Sequence, residues 1–292
     1  MPVKNRFAEM LPEITAWRRD FHENPELQFE VHRTAARVAE LCRSFGCDEV
    51  VEGIGRTGVV AVIKGKSDSK GRVIGLRADM DALPIIEQTG LPYASKVKGA
   101  MHACGHDGHT SMLLGAAKYL AETRNFDGSV VCIFQPAEEG GGGGREMVND
   151  GMMDRWGVQE VYGMHNMPGI PVGHFAIREG SIMAAADTVE ITLTGKGGHA
   201  AKPHDCVDTT VVAAHVILAL QTIASRNVDP LKQIVVSICA VETDSPAHNV
   251  IPQQVILRGT VRTLDPAVQD LVERRIHEIA EGTALALGAK AV

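Results

Sequence analysis

Residues 101–110, MHACGHDGHT, bring His102, Cys104, His106, Asp107 and His109 into one short stretch. A thiolate, imidazoles and a carboxylate are donors for borderline divalent metals, and Gly105 relieves crowding where Cys104 and His106 share a tight turn. Three strand-like runs end in further donor types. RVIGLRAD ends at Asp79, with Asp81 close behind, SVVCIFQP runs into Glu138-Glu139, and QEVYGMH ends at His165. Neighbouring residues of an extended chain point to opposite sides, so one of Glu138 and Glu139 can hold a metal while the other faces substrate water. Taken singly, each piece has a plainer reading: His165 as a hydrogen-bonded surface residue, Cys104 as a small buried hydrophobe, Glu138-Glu139 as a solvated loop. Their conjunction points to an open, mixed-ligand metal centre, a type that suits catalysis better than structural support.

The elements that must position these residues follow from periodicity. Residues 7–21 and 30–45 read as helices, the second with Val31, Ala35, Val38, Cys42 and Phe45 on one stripe and Gly46 as its stop. GVVAVIKG, RVIGLRAD, SVVCIFQP and QEVYGMH then alternate with helical patterns in HTSMLLGAAKYLAE and GREMVNDG. This alternation predicts an α/β catalytic domain over residues 1–180, a largely parallel sheet covered by helices, with reactive groups at the strand ends. The 102–109 stretch is read as the loop before a helix starting near Ser111. From Ser181 the pattern changes to a strand, a helix over 207–224, two strands and a helix over 266–286. That β-α-β-β-α order over residues 181–292 is a ferredoxin-like α+β unit lacking its last strand. The chain stops at Ala289-Lys-Ala-Val292, where that strand should begin, and the expectation is of a fragment.

Composition narrows the partners. The 292 residues carry 29 Lys plus Arg against 36 Asp plus Glu, a formal charge of −7, which excludes an electrostatic grip on nucleic acid or an anionic membrane. The nearest approach to a membrane span is the short VVAAHVILAL, interrupted by His215. Six cysteines without CxxC spacing, behind an N-terminus with no apolar leader, place the chain in the reducing cytoplasm. The 12 histidines, against seven Phe, three Tyr and two Trp, agree with a metal site.

RADMDALP, MHACGHDGHT, QPAEEGGGG, GMHNMPGIPVG, GKGGHAAKPH and AHNVIP resemble the two-metal aminoacylase/carboxypeptidase superfamily, in its amidohydrolase branch of hippurate hydrolases, N-acyl-amino-acid amidohydrolases and auxin-conjugate hydrolases. The resemblance spans essentially the whole chain. It implies a zinc-exopeptidase-like catalytic domain and a lid that joins two subunits as a homodimer. It further implies two divalent ions per subunit, zinc or manganese, held by Cys104, His106, Glu139 and His165, with Cys104 bridging. Glu138 becomes the general base. His199 would reach the substrate carbonyl across the dimer, and Asn249 and Arg262 would hold a substrate carboxylate. The implied reaction is hydrolysis of the amide bond of an N-acyl or N-aroyl amino acid, hippurate-like, to a carboxylic acid and an amino acid. Arg77-Ala78-Asp79 stands where other branches have His-x-Asp, so Asp79 is kept only as a supporting residue. The family's remaining ligand, a His near the end of a longer chain, has no counterpart here. A dipeptide exopeptidase with the same site, or a metal-binding or dimerising remnant without turnover, are the alternatives. His204, His215, His248 and His277 receive no role.

Overall fold

The computed structural model describes residues 3–292, which divide into one unit up to Gly169 and a second from Ile170, rather than at residue 180. In the first unit, helices α1 (Val3–Glu23) and α2 (His32–Ser44) present Trp17, Phe21, Ala35, Val38 and Cys42 to a common core. Next comes a hairpin of β1 (Glu49–Ile54) and β2 (Gly58–Lys64), whose connection through Arg56 is far too short for a crossover and makes the pair antiparallel. Strand β3 (Val73–Asp79), helix α3 (His106–Thr123) and strand β4 (Ser129–Gln135) form a crossover unit. Two short helices, α4 (Gly143–Asn149) and α5 (Met152–Trp156), lead to β5 (Glu160–Gly163). The sheet order is β1-β2-β4-β3-β5. It is parallel at β4/β3 and β3/β5 but antiparallel at β1/β2 and β2/β4. The α/β class holds, while the parallel pairing is confined to the three strands whose ends carry the candidate ligands.

Strand β4 shows why the sheet is covered on both faces. Val130, Cys132 and Phe134 enter the core beneath α1, α2 and α3, and the alternate Val131 and Ile133 enter a second core with Met147, Met152 and Val158. Such two-sided burial is what a continuous apolar run in a strand requires. One boundary differs from the sequence reading: α3 starts at His106, so His106, Asp107 and His109 lie on its first turn and not in a preceding loop. Gly105 makes this entry, with φ +93° and an Asn166 amide oxygen 2.3 Å from where a Cβ would be.

The second unit contains β6 (Ala185–Thr194), β7 (Gly198–His199), α6 (Thr209–Leu220), β8 (Ile234–Thr243), β9 (Val250–Ile251), β10 (Gln254–Thr263), α7 (Pro266–Ala286) and β11 (Lys290–Ala291). Its main sheet runs β11-β6-β10-β8, all antiparallel. With α6 and α7 on one face this is the ferredoxin-like βαββαβ arrangement. The strand expected to be missing is represented by β11, where Lys290 pairs with Thr194 and Ala291 with Leu193. Asp208 caps α6 by accepting from Thr210 N–H at 2.9 Å, and Asp265 caps α7 by accepting from Ala267 N–H at 2.9 Å. The stretch Thr209–Asn227 is apolar and long enough to span a membrane by composition. Here Val212, Ala213, Val216, Leu220 and Ile223 bury their side chains in this unit's core.

Leu114 is 0 % exposed in the seat of α3. Leu114→Ala should therefore cost about 2–5 kcal/mol, read as a lower denaturant midpoint of the first unit, with weaker metal retention because α3 carries His106.

Candidate metal centre

Register brings the donors together. Asp79 at the end of β3 lies opposite Gln135 at the end of β4, and Arg77 opposite Gly163 at the end of β5, so three chain exits open side by side. The first turn of α3 arrives at the same edge. Three triplets place their donor atoms within 4.8 Å of one another: Cys104/His106/His165, His106/Glu138/Glu139 and Asp79/His106/His109. His106 is common to all three. Its imidazole is fully buried, and neither ring nitrogen has a hydrogen-bond partner among the described residues. Nε2 lies 3.7 Å from Asp79, 3.9 Å from Glu138 and 3.9 Å from Glu139, and Nδ1 lies 3.6 Å from Asp81. Burial works against a charged ring, but Asp81 and Asp79 outweigh it and hold the His106 pKa above its ordinary value.

The turn after β4 owes its shape to Asp81, a residue to which sequence reasoning gave no role. Its two carboxylate oxygens accept the backbone N–H groups of Glu138 at 2.9 Å and Glu139 at 3.0 Å. This double bond aims both glutamates at His106 and leaves a carboxylate behind the ring, the arrangement that orients metal-bound histidines. The glycine run that follows lets the chain fold back, since a Cβ at Gly143 would sit 1.7 Å from the Pro136 carbonyl. The signal for Asp81 was present, two residues beyond Asp79 at a strand end, but only the fold shows which backbone it reaches.

His165 and Cys104 are set for coordination. His165 Nδ1 donates to the Asn166 carbonyl at 2.6 Å, which fixes the tautomer and leaves the Nε2 lone pair directed at Cys104 Sγ, 3.3 Å away. Burial and the Glu139 carboxylate push the Cys104 thiol up to about 12, so a cation that binds there must displace its proton. His109 plays another part. Its Nδ1 meets Asp79 Oδ1 at 2.7 Å, and its Nε2 lies 2.5 Å from the Asn166 side-chain oxygen and 3.2 Å from the Asn166 backbone nitrogen, so both nitrogens are committed to tying α3 to the β3 and β5 ends. Asp79 is held at about 2: burial opposes this, but the His109 hydrogen bond and the Arg77 guanidinium 2.7 Å away prevail.

Two members of the histidine-rich stretch face elsewhere. Asp107 receives Arg18 Nε at 3.1 Å and His22 Nδ1 at 2.9 Å, and His22 Nε2 faces Glu87 at 3.2 Å. His102 lies tilted beside His22 at 6.4 Å between centroids, and burial lowers its pKa to about 4, leaving a neutral ring. In the second unit, exposed His199 pairs with Val250 across β7 and β9, and Ala200 N–H donates to the Asn249 carbonyl at 3.1 Å, so His199 and Asn249 are neighbours. Arg262 lies on β10 with Nη1 bound to Val261 O at 3.0 Å.

Glu138, Glu139, a thiol and two available imidazole nitrogens around a carboxylate-rich pocket fit divalent metal ions. Asp81→Asn should lower metal affinity about 10–100-fold, measured by chelator competition. Unchanged affinity would mean that the Asp81 tie does not organise the donors.

Comparison with known proteins bears on this geometry. The chain is 48 % identical over 270 residues to a hippurate hydrolase of Campylobacter jejuni, covering 92 % of this chain and 69 % of that one. It is 44 % identical over 279 residues to an N-acetylcysteine deacetylase of Bacillus subtilis, covering 94 % and 71 %. A crystal structure of a dinuclear metal binding peptidase from Bacillus subtilis superposes with a TM-score of 0.79 at 40 % identity, over 96 % of this chain and 72 % of that one. Residues 75–283 match the profile described as Peptidase family M20/M25/M40, and the chain, a user of divalent metal, belongs to that family.

Proposed function

We propose that the protein hydrolyses the amide bond of N-acyl or N-aroyl amino acids with two metal ions held by Cys104, His106, Glu139 and His165. The observation that carries this reading is the difference in exposure between the two glutamates at the β4 exit. Glu139 and Glu138 flank the same buried imidazole, but the Glu139 side chain is 24 % exposed and that of Glu138 41 %. That difference supports Glu139 as the ligand and Glu138 as the group turned toward substrate. Both the hippurate hydrolase and the N-acetylcysteine deacetylase act, by name, on an amino acid acylated at nitrogen, which supports this substrate class over free dipeptides.

When bound, the metal ions polarise the amide carbonyl and acidify the attacking water. Glu138 receives that water's proton on a carboxylate oxygen and then gives it to the departing amine nitrogen. Burial, joined by the neighbouring Glu139 charge, raises the Glu138 pKa above the ordinary carboxylate range, which suits a group that must hold a proton between two steps. The His199 imidazole stabilises the developing oxyanion. Arg262 grips the substrate carboxylate through guanidinium N–H groups other than its engaged Nη1. Asn249, expected to share that carboxylate, instead stands beside His199 near the Gln254 end of β10, eight residues along the strand from Arg262, and does not pair with it in one subunit. Thiolate ligation at Cys104 favours zinc, and manganese is the second choice. The subunits pair through the ferredoxin-like unit, whose α6 leaves Val211 49 % and Leu218 69 % exposed. All six cysteines are free, in keeping with a cytoplasmic setting.

Glu138→Gln should lower kcat by about 10²–10⁴-fold with metal content unchanged by elemental analysis, whereas Cys104→Ala should lose metal and activity together. Near-normal kcat in Glu138→Gln would remove the proposed base. A panel of hippurate, acetylated amino acids and dipeptides distinguishes the acyl substrate class from an exopeptidase, and preference for dipeptides would overturn the former.

If His199 serves the partner subunit's centre, mixing inactive His199→Ala and Glu138→Gln proteins should restore activity through hybrid dimers. Continued inactivity after demonstrated subunit exchange would confine His199 to its own subunit or to no catalytic role.

A further inference from the structure

Helix α2 ends in a tight cap. Gly46, at φ +81°, donates its N–H to Arg43 O at 3.1 Å, and Cys47 N–H donates to Cys42 O at 3.2 Å. This pair of bonds brings the side chain in the last helical turn against the side chain that follows the glycine, a contact that is ordinarily apolar. Here both partners are cysteines, and Cys47 packs against the core cluster that contains Cys42.

The two thiols differ in access and in proton affinity. Cys42 is 0 % exposed among Val38, Val59 and Phe134, while Cys47 is partly exposed at the surface end of the cap. The neighbouring Cys42 thiol lowers the Cys47 pKa, burial and Asp48 oppose it, and Arg124 assists. Arg124 is fixed beside this cap, with Nη2 donating to Gly46 O at 2.8 Å and Nη1 to Asp48 Oδ2 at 2.7 Å, so a guanidinium is bound to the residues on either side of Cys47. Cys42 is shifted the other way, its thiol pushed up by Cys47 and by burial. A partly exposed thiol of lowered pKa beside a cation, with a second thiol facing it across the helix cap, is the arrangement of a sensing and a resolving cysteine. It lies on a helix end remote in sequence from every residue assigned to the metal centre, and nothing in the proposed hydrolysis uses it.

We propose that Cys42 and Cys47 form a hydroperoxide-responsive dithiol, in which Cys47 is the residue oxidised first and Cys42 closes the disulfide. The Cys47 thiolate attacks one oxygen of hydrogen peroxide, the O–O bond breaks, and the other oxygen takes a proton and leaves as water. This gives a sulfenic acid at Cys47. The Cys42 sulfur then displaces that hydroxyl, which takes up the Cys42 proton and leaves as a second water. Two thiols are oxidised and one peroxide is reduced. A thiol reductant reverses the disulfide, as befits a transient bond in a reducing compartment.

The test uses the metal-loaded, full chain treated with one equivalent of hydrogen peroxide, alkylated and digested with trypsin after denaturation. Arg43 lies between the two cysteines, so cleavage places Cys42 in residues 38–43 and Cys47 in residues 44–56. These peptides should travel as one disulfide-linked species that a reductant separates. In Cys42→Ala the link should vanish and a dione trap for sulfenic acid should mark Cys47. Cys47→Ser should slow peroxide consumption at least about tenfold. Separate, alkylated peptides 38–43 and 44–56 after the peroxide is consumed would overturn the proposal, as would trapping at Cys206 or Cys239 ahead of Cys47. The digest of the unsubstituted protein decides the question even if a variant fails to fold.

Discussion

Negative charge gathered around one buried imidazole is the constraint from which the rest of the first unit follows. Asp79, Asp81, Glu138 and Glu139 all stand within 4 Å of a His106 ring nitrogen. Buried carboxylates are tolerated only where donors or cations meet them. Asp79 has Arg77 and His109, and Asp81 has two backbone N–H groups. Among the described residues, no cationic side chain or backbone N–H hydrogen-bonds the Glu138 and Glu139 carboxylates, and they share His106, which is why the chemistry of this cluster is that of a cation site.

Holding those groups in register takes more than the donors themselves. The parallel β3/β4 pairing sets Asp81 opposite the turn that carries the glutamates, and the β3/β5 pairing delivers His165 and Asn166 to the same edge. Asn166 then does two jobs: its carbonyl orients His165, and its side-chain oxygen and backbone nitrogen occupy His109. Burial of both faces of β4 makes the platform stiff enough for donor placement at the scale of tenths of an ångström that coordination demands. Antiparallel β1 and β2 widen the sheet without adding donors, and this explains how a sheet only partly parallel still supports a centre at parallel strand ends.

Much of this was legible in the sequence because it is local. The 3.6-residue apolar stripe of α2, the continuous apolar run of β4 and the Pro266 start of α7 each follow from spacing within one element, and α7 spans Pro266–Ala286 as read. The β1/β2 antiparallel pairing was missed because EVVEGI is half-polar, with a burial pattern that offers no clean alternation. The start of α3 was placed too late because His106, Asp107 and His109 look like loop chemistry, and their burial comes from contacts with Asp79, His22 and Asn166 far away in the chain. Asp81 escaped for the same reason, since a carboxylate that accepts from backbone N–H groups at Glu138 and Glu139 leaves no trace in residue type at those positions. Conversely, the cysteines of the α2 cap are legible as a pair only once Gly46 is seen to turn Cys47 back onto Cys42.

The central claim is that His106 is the hub of the metal centre, with Cys104, Glu139 and His165 as co-ligands and Glu138 left free for proton transfer. Anomalous diffraction from crystals loaded with zinc tests it most directly. The account predicts peaks within bonding distance of His106, Cys104, Glu139 and His165, at about 2.0–2.3 Å, with the Glu138 carboxylate outside the bonding shell. Peaks at His22, His102 and Asp107 in place of that cluster, or Glu138 bound directly to the ion, would contradict it.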